Sequence, residues 1–149
     1  LENILLDSEY NAKLADFGFS KTGLTAGDEA KNGTLYYAAP ELFFTGNFNP
    51  LKSDIWSIGI TLYCLSEKSF PFEQNNERSI VRQITSQKLT FNSGLNKKLR
   101  KIVEKCSEKR PENRPSVDEI LNDEYFSNYI SYQWVLRKIY KRILNFVWM

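Results

Sequence analysis

The chain contains no histidine and only two cysteines among its 149 residues, which narrows the chemistry that it can support. Without histidine, these residues offer neither imidazole acid–base catalysis nor a histidine metal site. Cys64 and Cys106 fit neither the spacing of a zinc site nor that of a disulfide framework. We therefore expect two reduced thiols in an intracellular, cytoplasmic protein.

Long apolar runs are also missing. No stretch reaches the roughly 18 residues that a membrane-spanning helix requires, and the first residues lack the basic region and apolar run of a signal peptide. The chain begins with Leu1 and not with methionine, so we expect a fragment of a longer product. Hydrophobic residues make up 42% and aromatic residues 14% of the chain, which favours one packed domain over disorder.

Hydrophobic periodicity and turn residues predict a mainly α-helical domain that begins with a short β-hairpin. A small, polar, glycine-containing segment at residues 22–33 indicates a loop. Pro40 can start a short helix, which Gly46 would end. The helix predicted over residues 51–65 has apolar side chains on all sides, which is typical of a buried helix. The predicted strands cover 4–7 and 12–16, and the predicted helices cover 41–44, 51–65, 75–86, 96–106 and 116–122.

Three short motifs follow one another along the chain. Asn3 in L-E-N-I-L-L-D precedes Asp16 in A-D-F-G by thirteen positions, and A-P-E follows at residues 39–41. Amide and carboxylate oxygens are the ligands that magnesium prefers, and magnesium takes only one or two from a protein. Phosphoryl transfer needs such ions to bridge the phosphates of a nucleotide. Asn3 and Asp16 would suit that task.

These motifs resemble the protein kinase family, whose signature runs H-R-D-L-x-x-x-N, then D-F-G, then A-P-E. The matches continue in family order with G-T-L-Y-Y-A-A-P-E, D-I-W-S-I-G, Pro71-Phe72 and Arg114-Pro115. The resemblance covers residues 1 to about 125. It implies a mainly α, kinase-like C-terminal lobe with an N-terminal β-hairpin and without the N-terminal lobe. The catalytic aspartate of H-R-D would lie upstream of Leu1.

The resemblance implies a role for each matched residue near the nucleotide. Asn3 and Asp16 would ligate Mg²⁺ and contribute to ATP binding. Leu5 would lie under the adenine, and Glu2 would lie near the ribose, although Glu2 could equally be a solvated surface charge. Phe17 would pack into a hydrophobic column beneath the site. The other residues assigned to the activation segment and substrate loop are Gly18, Gly33, Thr34, Tyr37, Ala39, Pro40 and Glu41.

Two charged residues receive structural roles from the same resemblance. Arg114 would form a buried ion pair with Glu41 that anchors the activation segment. Asp54 would hydrogen-bond the backbone of the catalytic loop, or it could be an acid that favours the start of a helix. The position of Thr34 is typical of serine/threonine kinases. The run L-E-N-I-L-L-D resembles the calcium/calmodulin-dependent and energy-sensing branch.

The resemblance implies a fragment of an ATP-dependent serine/threonine protein kinase that uses Mg²⁺ and acts on a protein substrate. The chain lacks the glycine-rich loop, the phosphate-pairing lysine and the catalytic aspartate, so we expect it to be inactive alone. The alternative is a non-catalytic kinase-like lobe that acts as a regulatory or protein-binding module. The intact Asn3, Asp16 and Thr34 favour the first interpretation, because a purely structural lobe needs no metal ligands.

Residues 126–149 lie beyond the resemblance, and their pattern predicts a basic amphipathic helix. Over residues 130–149, such a helix could lie on an anionic membrane or enter a calmodulin-like groove. We favour the simpler alternative, in which its apolar face packs on the domain. Nucleic-acid binding is not expected, because four cations form a small electrostatic footprint. Those cations are Arg137, Lys138, Lys141 and Arg142.

Overall fold

The computed structural model describes residues 1–18, 20, 35–44, 48–73 and 76–127. Several predictions fall outside these residues: the loop at 22–33, Gly33 and Thr34, the end signal at Gly46 and the amphipathic helix at 130–149. Within the described residues, the prediction of a mainly helical fold with an N-terminal hairpin is confirmed.

The hairpin consists of strands β1 (Ile4–Leu6) and β2 (Ala12–Leu14), which pair antiparallel with Ile4 opposite Leu14. Asp7 organises the turn, since its carboxylate accepts hydrogen bonds from the backbone N–H groups of Glu9 (3.0 Å) and Asn11 (2.9 Å). Both strands are shorter than predicted.

The longest helix, α1 (Pro50–Glu67), extends slightly beyond both predicted ends because of its caps. Asn49 caps the first turn, with its side chain accepting a hydrogen bond from the N–H of Leu51 at 3.0 Å, and Pro50 fits the first helical position. Lys68 ends the helix in the left-handed conformation, and its N–H donates to the carbonyl of Cys64.

Shorter helices pack around α1. The helix predicted at 41–44 is a 3₁₀ helix at Pro40–Phe43. Ser116 forms a capping box with Glu119 at the start of the helix predicted over residues 116–122. The α-helices are α2 (Glu77–Ser86), α3 (Lys97–Cys106), α4 (Val117–Leu121) and α5 (Glu124–Ser127), and further 3₁₀ helices cover Leu35–Tyr37 and Pro111–Asn113. In the part of the chain that the structure describes, none of the helices combines the length and the hydrophobicity of a membrane span.

Two apolar clusters flank α1. One joins Trp56 and Ile60 of α1 to α2 and to the segment around Ala39. The other joins Ile55 of α1 to α3 and α4. Gly59 lets α3 approach closely, because a Cβ at this position would lie 2.8 Å from the Cβ of Cys106. Helix α1 therefore connects the segment around Ala39 to α3 and α4.

The prediction that α1 is buried on all sides is wrong. Leu51, Ile58 and Leu65 recur every seven residues, lie on one face, and are 55%, 40% and 59% exposed. Asp54 lies on the same exposed side. Apolar composition shows that a face favours burial, but it does not show whether a neighbouring element covers that face.

Candidate active site

The register of the hairpin brings Asn3 and Asp16 together at its open end. Ile4 pairs with Leu14, and beyond that pair the N–H of Ala15 donates to the carbonyl of Asn3 at 2.9 Å. The chain therefore leaves the hairpin at Asp16 beside Asn3. Both residues are exposed to solvent.

Asp16 has a left-handed backbone, with φ at 58°. Aspartate tolerates this conformation better than most residues because its short side chain can hydrogen-bond locally. Here the Oδ1 atom of Asp16 accepts a hydrogen bond from the N–H of Gly18 at 3.1 Å. This local bond orients the carboxylate at the exposed end of the hairpin.

The donor set fits a magnesium ion better than a metal held entirely by protein. Asn3 and Asp16 supply hard oxygen donors. Within the part of the chain that the structure describes, no group of three or more His, Cys, Asp or Glu residues could hold a metal ion. Magnesium typically takes few protein ligands and keeps water and phosphate oxygens in its remaining positions. Two oxygen donors at a solvent-exposed edge are compatible with that preference.

The other residues to which the resemblance gives a role near the nucleotide are Glu2, Leu5 and Phe17. They lie on the hairpin or directly beside it, and they are exposed. Leu5 pairs with Lys13 and is 53% exposed. The Oε2 atom of Glu2 lies 2.7 Å from the amino nitrogen of Leu1. Phe17 is 52% exposed, so the described residues do not enclose its ring in a hydrophobic column.

The segment at residues 35–44, whose A-P-E motif the family resemblance assigns to the activation segment, packs on α1. Ala39 and Pro40 are buried. The carbonyl of Tyr37 accepts a hydrogen bond from the hydroxyl of Ser57 at 2.9 Å, and its ring lies edge-on to that of Phe70, with the centroids 5.4 Å apart. This segment is thus held by α1 on one side and by the aromatic ring of Phe70 on the other.

The predicted pair between Glu41 and Arg114 is present and bidentate. Nη1 of Arg114 lies 2.7 Å from Oε1 of Glu41, and Nη2 lies 2.6 Å from Oε2. The other donors of the guanidinium reach the carbonyls of Glu108 (2.8 Å), Lys52 (2.7 Å) and Lys109 (3.3 Å). Every N–H of a fully buried arginine side chain therefore has an acceptor.

Sequence reasoning missed two residues that support this pair. The hydroxyl of Ser53 donates to Oε1 of Glu41 at 2.7 Å. The ammonium of Lys52 donates to the carbonyl of Arg114, while the carbonyl of Lys52 accepts from Arg114 in return. We call Glu41, Arg114, Ser53 and Lys52 the clamp. One feature of the sequence could have indicated these contacts: Ser53 and Ser57 place two hydroxyls four positions apart on an otherwise apolar helix.

Because of the clamp, we expect the free energy of unfolding to fall in acid. Burial by itself would raise the pKa of Glu41, but hydrogen bonds from Arg114 and Ser53 outweigh it and hold the pKa below the ordinary value of 4.5. The stabilisation from Glu41 is therefore complete above the unfolded-state pKa and is lost as the pH falls through the lower folded-state value. Urea unfolding at a series of pH values should show this loss in the wild type. The same contribution should be missing from Glu41→Gln, and parallel curves would contradict the prediction.

Asp54 lies at the exposed side of α1, and its carboxylate accepts no hydrogen bond from another described residue. The protein atoms around it reduce the hydration of its carboxylate and raise its pKa. The predicted hydrogen bond to a catalytic loop stays a prediction.

Comparison with known proteins shows which family this chain resembles. The profile of the family described as "Protein kinase domain" matches residues 1–126. Serine/threonine-protein kinase kin-29 of Caenorhabditis elegans is 41% identical over 88 residues, which are 57% of this chain and 10% of that protein. Testis-specific serine/threonine-protein kinase 1 of Mus musculus is 35% identical over 96 residues, which are 60% of this chain and 26% of that protein. The chain thus matches only a small part of the length of these relatives.

Proposed function

Because this chain belongs to the protein kinase family, we propose that it is the C-terminal lobe of an ATP-dependent serine/threonine protein kinase. The whole enzyme would transfer the γ-phosphate of ATP to serine and threonine hydroxyls of protein substrates. The observation that carries this proposal is the hairpin register, which places Asn3 beside Asp16 at an exposed edge. The names of both similar kinases support the serine/threonine class.

Asn3 and Asp16 would hold the Mg²⁺ that accompanies ATP, through one amide oxygen and one carboxylate. Held by these two residues, Mg²⁺ would neutralise part of the negative charge that develops during phosphoryl transfer. The residues of this lobe contribute mainly by position. Backbone hydrogen bonds of the hairpin fix the main chain at Asn3, and the N–H of Gly18 orients the carboxylate of Asp16. Little rearrangement of the main chain would therefore be needed when the nucleotide arrives.

The clamp would position the protein substrate. It fixes the A-P-E segment at residues 39–41 between α1 and Arg114. Tyr37 lies just before that segment and is held separately by Ser57. A substrate loop fixed at this end presents the receiving hydroxyl in a reproducible place, which lowers the entropic part of the barrier.

Replacing Asp16 with asparagine should weaken the Mg²⁺-dependent part of ATP binding by the whole kinase, roughly 10- to 100-fold or more. Loss of a partner one shell away from a metal already has an effect of this size. Asparagine keeps an oxygen for the N–H of Gly18, so the local turn should survive. Calorimetric titration of ATP with and without Mg²⁺ measures the difference.

Asp118→Asn provides the matched control, because this exposed carboxylate in the first turn of α4 lies outside the hairpin. It should leave both titrations unchanged. An Asp16→Asn protein whose ATP affinity responds to Mg²⁺ as the wild type does would refute the metal site. Mg²⁺-dependent ATP binding that both variants retain would point to other ligands.

A further inference from the structure

Lys109 lies partly buried between α2 and the clamp, and the proposed phosphoryl transfer does not use it. Its Nζ atom lies 4.7 Å from the ring centroid of Trp56 and 5.7 Å from that of Phe72. The same ammonium donates a hydrogen bond of 2.6 Å to the carbonyl of Ile84. One cation thus contacts two buried rings and the backbone of a helix.

The hydrogen bond from Lys109 gives a partner to the carbonyl of Ile84, which lies in the last turn of α2. Carbonyls in the last turn of a helix lack partners within the helix and favour a nearby cation. No basic residue of α2 lies in its last turn, and the helix ends at Ser86. Lys109 therefore supplies from outside the cation that this helix end lacks.

The backbone of Lys109 is linked to the clamp. Its carbonyl accepts a hydrogen bond from Nη2 of Arg114 at 3.3 Å, and the guanidinium of Arg114 lies over the ring of Trp56 at 5.2 Å. Trp56 is therefore in contact with both cations. Burial, helped by the nearby charge of Arg114, lowers the pKa of the Lys109 ammonium to about 8, in keeping with an ammonium partly removed from water.

We propose that Lys109 is a positioning residue that fixes α2 against the clamp through Ile84 and Trp56. In this arrangement α2 also contacts the 3₁₀ helices at Leu35–Tyr37 and Pro40–Phe43. The position of α2 consequently determines the shape of the surface beside the activation segment. The effect of Lys109 on protein substrates rests on the proposed kinase function, whereas its role in fixing the position of α2 does not.

Amide hydrogen exchange in this 149-residue chain tests the structural part. Lys109→Met keeps the apolar stem but removes the charge and the donor. Protection of α2 amides should fall at least about tenfold relative to α3 amides, because a hydrogen bond from a charged donor is lost. Lys109→Arg keeps a cation and should restore most of the protection.

Lys98→Met is the matched control, since Lys98 is exposed and bonds to Glu124 on α5. It should leave the ratio of α2 to α3 protection unchanged. An equal fall of protection in α2 and α3 for Lys109→Met would show a merely global effect and overturn the proposal. So would an unchanged ratio, or a Lys109→Arg protein that behaves like Lys109→Met.

The wild type provides a second test if Lys109→Met fails to fold. A scalar coupling across the hydrogen bond should connect Nζ of Lys109 to the carbonyl carbon of Ile84 in the NMR spectrum. Absence of that coupling, with ammonium protons exchanging as fast as those of Lys98, would overturn the proposal.

In the whole kinase, Lys109→Met should raise KM for the protein substrate several-fold while kcat and KM for ATP stay unchanged. A kinase that is inactive even as wild type would refute the proposed function and leave the exchange result intact. Altered α2 exchange with unchanged kinetics would refute only the consequence for substrates.

Discussion

Replacing Arg114 with methionine should lower the free energy of unfolding of this chain by about 3–5 kcal/mol. The reason is that methionine fills similar space but leaves the Glu41 carboxylate with no cation in a site where it is only 13% exposed. The carbonyls of Glu108 and Lys52 lose a donor at the same time. Urea denaturation followed by circular dichroism measures the difference.

Two further variants show whether the clamp is the cause. Arg100→Met removes an exposed arginine that pairs with Glu104 one turn away on α3 and lies over the ring of Phe91, 4.9 Å from its centroid. Because both contacts are exposed, the change should cost only about 1 kcal/mol. The double variant Glu41→Gln with Arg114→Met should lose less than the sum of the single losses, because the two residues share one interaction. An Arg114→Met loss no larger than that of Arg100→Met would contradict the clamp.

Replacing Gly59 with alanine should lower the free energy of unfolding by about 1–3 kcal/mol through overpacking. The added Cβ would lie 2.8 Å from the Cβ of Cys106 and 3.3 Å from its carbonyl carbon. These atoms belong to the backbone and stem of α3, so they cannot move aside without shifting that helix. Alanine is intrinsically a better helix former than glycine by about 1 kcal/mol. A net loss of stability would therefore show that the steric clash with α3 outweighs this gain.

Gly94→Ala is the control for this second change. No atom lies within 4 Å of a Cβ built at Gly94, which is exposed in the connection between α2 and α3. Its effect should stay within about 0.5 kcal/mol. A Gly59→Ala protein as stable as the wild type would show that α1 and α3 are not in tight contact at this point.

Local signals predicted the secondary structure well. The caps of α1 at Asn49 and Pro50, and the capping box at Ser116, place helix ends within one or two residues because they act over a single turn. Local signals could not predict how α1 is covered. The face with Leu51 and Ile58 carries large apolar side chains, but whether it is buried depends on elements distant in the sequence.

In the candidate site too, local contacts could be predicted from the sequence and distant contacts could not. The placement of Asn3 beside Asp16 follows from a hairpin that turn residues predict, although the roles of both residues came from the family resemblance. The contacts of Lys52, Ser53 and Lys109 with the clamp and α2 span between 12 and 62 positions. Such contacts leave no periodic pattern, and only the folded structure identifies them.

The most direct test of the kinase assignment is a phosphotransfer assay of the protein encoded by the complete reading frame that contains this chain. Sequencing the transcript upstream of Leu1 and expressing the whole product provides the protein for assay with labelled ATP, Mg²⁺ and a protein substrate. The proposed function predicts label on serine and threonine, which phosphoamino-acid separation identifies, and its loss on removal of Mg²⁺. No transfer above background from a folded, ATP-binding product, or label on tyrosine alone, would contradict it.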